Sequence, residues 1–158
     1  MNAQQPMRTK EIAIAEVRFA IEYGSLNESF WRSLDTTLNL AQIGFGLLAL
    51  AGAVVHGTTM AGIAGVVLAV VSALQLTLSP VRRSIKFRDA RARFHELNAD
   101  APSMTMAEID RRLELLRRDS PQGWAVFEMP AMNIVDARNG HPPLRDLRLS
   151  ERLAMLIA

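Results

Sequence analysis

The chain has 158 residues, a formal net charge of +2 and no cysteine. The missing thiols exclude disulfides, thiol catalysis and thiolate metal sites together. Two Trp, one Tyr and six Phe are few for a soluble core of this size, and the length allows one domain or a membrane unit with a small soluble annex.

Glu11, Glu16, Glu22 and Glu28 stand among Arg8, Lys10, Arg18 and Arg32, so the beginning of the sequence does not resemble a cleavable signal. Residues 8–30 predict an amphipathic helix. Its face is Ile14, Val17 and Ile21 with Ile12, Phe19 and Tyr23 beside it, suited to lying near a membrane or packing on later helices. Gly24-Ser25 is expected to break or kink it, and residues 1–33 form a cytoplasmic N-terminal unit.

No Asp, Glu, Lys or Arg lies between Asp35 and Arg82. A bilayer core needs about 20 apolar residues per helix, so this stretch holds two spans and a turn. The spans read 38–55 and 60–78 within a hairpin of residues 34–80, with His56-Gly57-Thr58-Thr59 as the turn. A core hairpin of a soluble bundle would keep a polar face on each helix. Neither segment has one, and the rest of the chain is too short to cover both. Arg82, Arg83, Lys86, Arg88, Arg91 and Arg93 follow the second span at once, whereas the turn carries no cation. The positive-inside rule then puts both termini in the cytoplasm of a cell whose inner (plasma) membrane holds the hairpin. Trp31 is placed as an interfacial anchor ahead of the first span.

Ser79-Pro80 marks a kink or a fresh helix start, opening a basic cytoplasmic helical domain over residues 81–158. Phe87, Ala90, Phe94 and Leu97 fall at a/d spacing and give this helix a narrow apolar seam. Thr105 to Glu108 is a capping-box signature, opening a helix with Met106, Ile109, Leu113 and Leu116 on one face. Pro130 is expected at the first position of a further helix that Asn139-Gly140 ends. The last helix, from about Ser150 to Ala158, has an apolar face of Leu153, Leu156 and Ile157. The predicted fold class is all-α: an integral membrane two-helix hairpin with flanking cytoplasmic helices.

Three constellations are candidates for function. Ala61, Gly65, Ala69 and Ala73 form a small-residue ridge that allows close helix approach, within the hairpin, between protomers of a homo-oligomer, or both. Asn39, Gln42 and Gln75 lie toward the cytoplasmic ends of the spans. They suit a hydrogen-bonded clasp within the hairpin or a ring of amides around an oligomeric pore. The run Arg82, Arg83, Lys86, Arg88, Arg91 and Arg93 suits a topology determinant and an anchor to anionic headgroups. Nucleic-acid binding would ask for interleaved aromatics or a recognisable module, and the sequence has neither. The three His stand far apart, and there is no phosphate loop, nucleophile elbow or paired carboxylate. No catalytic residue, metal site or cofactor is expected.

The order of parts resembles the SLATT group of two-span membrane domains. The resemblance rests on the N-terminal amphipathic helix, the charge-poor hairpin and the Arg-rich helix with R-x-R-F-H-E-L from Arg91 to Leu97. The capped helix Thr105 to Arg118, P-A-M-N from Pro130 and A-R-N-G from Ala137 complete it. It implies a non-enzymatic effector of a bacterial conflict system that oligomerises and perturbs the membrane, triggered by a separate sensor or signalling protein. A structural or scaffold subunit of a larger complex, or a phage holin or exclusion protein, is the alternative. Holins rarely carry so long a soluble segment after the hairpin.

Overall fold

A computed structural model describes residues 8–54 and 58–158, and the elements it assigns are helical: α1 (Lys10–Val54), α2 (Thr58–Leu78), α3 (Pro80–Asp100), α4 (Met106–Asp119), α5 (Glu128–Arg138) and α6 (Leu149–Ile157). Short 3-10 turns at Ala101–Ser103 and Ala125–Phe127 precede α4 and α5. His56 and Gly57 of the expected turn lie outside the described residues.

The frame is one long antiparallel pairing. α1 runs uninterrupted for 45 residues, a length of roughly 68 Å at 1.5 Å per residue. Its C-terminal half packs on α2 and its N-terminal half on α3. One register holds throughout. Gly52 meets Ala61, the Gln42 amide donates to Ser72, and Gln75 donates to Asn39. Farther down, Arg83 covers Trp31, Gly24 lies against Arg91, and Lys10 Nζ donates to the Pro102 carbonyl at 2.9 Å.

Pro80 forces the break between α2 and α3, because the residue before a proline is sterically barred from the right-handed helical region. Ser79 takes the left-handed conformation, φ 45° and ψ 55°. The Ser79 N–H still donates to Gln75 O at 3.0 Å and the Arg83 N–H to Ser79 O at 3.2 Å. Two helices therefore follow α1 as though they were one.

The expected break at Gly24-Ser25 does not occur, so residues 8–30 are not a helix separate from the first span. Gly24 instead lies inside the helix facing α3, where an added Cβ would make an ordinary 3.6 Å contact with Arg91 Cβ. Below the apolar hairpin, Ala13, Val17 and Ile21 of α1 close a core with Phe94 and Leu97 of α3 and Ile109 and Leu113 of α4. The predicted seam of α3 and face of α4 are the surfaces buried here. The capping box of α4 is formed, with Thr105 N–H donating to Glu108 Oε2 at 2.8 Å and Thr105 Oγ1 accepting from the Glu108 N–H. α5 begins two residues ahead of Pro130 and buries Pro130, Ala131 and Val135. Asn133 holds the connection to α6, accepting from Leu144 N–H at 3.1 Å and donating to the Arg145 carbonyl at 3.0 Å.

Candidate functional site

The hairpin half of the molecule has no protein around it. α1 and α2 each contain an 18-residue window long and apolar enough to cross a membrane, and only 0% and 6% of those windows are buried within the chain. Leu40, Leu47, Leu50, Ile63, Val66 and Leu76 point outward from it. An apolar surface of this extent is unusual for a soluble monomer, in which exposed patches rarely exceed a few hundred Å².

The polar residues of the hairpin satisfy one another. Asn39 Nδ2 donates to Asp35 Oδ2 at 3.0 Å, Gln75 Nε2 to Asn39 Oδ1 at 2.8 Å, and Gln42 Nε2 to Ser72 Oγ at 3.2 Å. The three predicted amides are therefore brought together as a ladder between α1 and α2, joined by Asp35 and Ser72. The Gln75–Asn39 and Gln42–Ser72 bonds join the two helices, and the Asn39–Asp35 bond lies within α1.

The small-residue ridge is divided by the helix geometry. Residues four apart advance about 40° per step on a helix with 3.6 residues per turn, so Ala73 points roughly 120° away from Ala61. Ala61 faces α1, where a Cβ on Gly52 would come within 2.9 Å of its backbone nitrogen. Ala69 and Ala73 face outward, and open space surrounds Gly65. The buried small residue of α2 is Ala64, which lies off the predicted row. A Cβ added at Gly44, Gly46 or Gly62 would also meet nothing within 4 Å.

The basic run divides too. Arg82, Arg83, Lys86, Arg88 and Arg93 are exposed on α3, but Arg91 turns inward. Its Nη1 donates to Ser25 Oγ at 3.0 Å and its Nη2 lies 3.1 Å from Oε2 of the buried Glu28. Arg32 pairs with the other oxygen of the same carboxylate. Arg91 thus joins α1 to α3 and is withdrawn from the headgroup role expected of it.

Trp31 is a correction of the same kind. It is only 1% exposed and cannot anchor in an interface. Its ring packs edge-on against Phe30 and Trp124, and the Arg83 guanidinium sits 4.6 Å above it. Phe30, Trp31, Phe87 and Phe127 form a core at the foot of the hairpin, and Leu34, Leu78, Ala154 and Ala158 pack around it. Trp124 completes this cluster and was invisible to sequence reasoning, since it lies in a loop without periodicity. Asn27 fixes that loop by accepting from the Trp124 N–H at 2.9 Å. Gly123 is required beside it, because an added Cβ would fall 2.5 Å from the Tyr23 hydroxyl and 2.8 Å from Asn27 Nδ2.

In the lower half, a cavity of about 390 Å³ opens between α1, α3 and the loop after α4. It is lined by Phe19, Tyr23, Phe87 and Phe94, with Arg91 and Arg117 at its edge. Burial raises the Tyr23 phenol above its ordinary pKa, with help from the nearby Glu128 charge. Among the described residues no three His, Asp or Glu side chains converge as a metal site. Comparison with family models, characterised proteins and solved structures finds no match.

Proposed function

We propose that this chain is a non-enzymatic two-span protein of the bacterial inner membrane, with both ends cytoplasmic, that self-associates and perturbs or permeabilises the bilayer when triggered. The observation that carries the reading is the apolar hairpin without protein cover. α2 is about 32 Å long at 1.5 Å per residue, close to the roughly 30 Å of a hydrocarbon core. The cation-free turn and the arginines beyond Ser79 support this orientation. Open space at Gly44, Gly62 and Gly65, with Ala69 and Ala73 turned outward, gives a second hairpin a surface it can approach closely. The resemblance to the SLATT group adds the role in a conflict system and a signal from a separate protein.

A second reading, a structural subunit of a larger membrane complex, is favoured by one observation. Asn39, Gln42 and Gln75 use their amide groups within the hairpin rather than offering them to a pore. Expression in bacterial cells with a potential-sensitive dye separates the two. The effector reading expects loss of membrane potential, reduced by Gly65→Leu with Ala69→Leu together with cross-linkable oligomer. An intact potential with the protein fully inserted and triggered overturns it and leaves the structural subunit.

A further inference from the structure

α6 is built the wrong way round for a helix that only packs on its own protein. Ala154 and the capping Ala158 face the core with the half-buried Met155, while four of the helix's large apolar residues face out. Leu149 is 75% exposed and Leu156 83%, with Leu153 and Ile157 between them. At 100° per residue these four fall within an arc of about 100°, opposite the docked alanines. The arc is rimmed by Ser150 and Arg152, both exposed.

Its place in the fold says what covers it. Ala154 and Ala158 pack in the aromatic core that also receives Leu34 and Leu78, the residues at which the two apolar helices leave that core. The α6 stripe is therefore level with the foot of the apolar hairpin, on the side of α1 against which α6 packs. Arg82 and Lys86 on α3 and Arg152 on α6 give that level a positive rim, complementary to anionic headgroups. Glu151, the acid of α6, is turned inward, held by both guanidinium nitrogens of Arg145 and by the Arg148 N–H at 2.7 Å.

We propose that α6 is an interfacial anchor. Leu149, Leu153, Leu156 and Ile157 dip into the acyl–headgroup boundary of the cytoplasmic leaflet beside the hairpin. This rests on the reading of the hairpin as membrane-spanning. A helix of this kind sits with its apolar face roughly 5–10 Å into the boundary. The anchor fixes the C-terminal segment against the bilayer, so a signal that loosens α5 or the loop at Gly123 pulls on a lipid contact.

The absence of cysteine makes the test direct, because each introduced thiol is the sole label site. Nitroxides go onto Leu153→Cys, Leu156→Cys, Arg152→Cys, Leu47→Cys and Glu114→Cys in the full chain. The chain is reconstituted in phosphatidylcholine vesicles with a minority of phosphatidylglycerol. Collision with oxygen and with a nickel chelate is read for each label. The anchor expects positions 153 and 156 to favour oxygen, as position 47 does, and positions 152 and 114 to favour nickel several-fold. Position 156 open to nickel while position 47 is not overturns the anchor and leaves the hairpin reading standing. Position 47 open to nickel overturns both. Shielding of position 156 from both agents, with dipolar broadening, assigns the stripe to a second copy and also overturns the anchor.

Discussion

A carboxylate removed from water costs several kcal/mol unless cations and donors replace its hydration. Glu28 is buried where α1 meets α3, and its oxygens are met by Arg32 and Arg91. Arg32 is largely exposed and its contribution is screened, so Arg91 carries the cross-helix attachment. Glu28→Gln leaves Arg91 facing a neutral amide and is expected to destabilise the fold by about 1–3 kcal/mol. Arg88→Gln, on the exposed side of α3, is expected to stay within about 0.5 kcal/mol. Denaturant unfolding in detergent, followed by circular dichroism, compares the two, and equal losses would remove Glu28 from this role. The pair was hidden in the sequence. Arg91 reads as one more member of a basic run, and only the antiparallel register brings it to an acid more than sixty residues away. The amides of the hairpin were legible for the opposite reason, since polar side chains in a charge-free apolar stretch have few partners to choose from.

Elements were legible where periodicity or local chemistry speaks. The seam of Phe87, Phe94 and Leu97, the capping box at Thr105 and the apolar spans all carry such a signal. Gly24 misled, because a glycine can mark a break or sit inside a continuous helix, and only the partner helix tells which. The direction in which α6 points was equally unreadable, since amphipathicity gives two faces but not which one the protein covers. Ala154 and Ala158 dock α6 in the core, and its first turn is held electrostatically. The hydrogen bonds from Arg145 and then that from the Arg148 N–H hold the Glu151 carboxyl below its ordinary pKa. A carboxyl whose pKa is lowered by folding stabilises the fold above its unfolded value of about 4.3, and that contribution fades as pH falls through the lowered folded value. α6 is therefore expected to loosen in acid, below about pH 4, before the α1–α3 pairing does. Glu151→Gln should loosen it already at neutral pH. Amide hydrogen exchange over residues 149–157 reads both effects, and protection unchanged in the variant would contradict the assignment.

At the scale of the whole molecule, the vertical arrangement decides which cations can meet lipid. Because α1 is continuous, α3 must run down beside it, away from the foot of the hairpin, rather than along a membrane surface. A rise of 1.5 Å per residue puts Arg82 about 3 Å and Lys86 about 9 Å from Pro80, but Arg93 about 20 Å. The Debye length at physiological ionic strength is about 8 Å, so attraction to headgroups has largely decayed before Arg93 is reached. On the proposed membrane-spanning reading, the six cations that look equivalent in the sequence thus divide into an upper group near the bilayer, an inward Arg91 and a lower group in water. A cation near an anionic surface contributes about 1 kcal/mol. Arg82→Gln with Lys86→Gln is therefore expected to abolish most of the rise in melting temperature that phosphatidylglycerol gives the reconstituted protein. Arg88→Gln with Arg93→Gln should leave most of it, and high salt should weaken the upper group's effect in the unmodified chain. Equal losses from the two double variants would mean that α3 lies along the membrane, which the unbroken pairing with α1 does not permit.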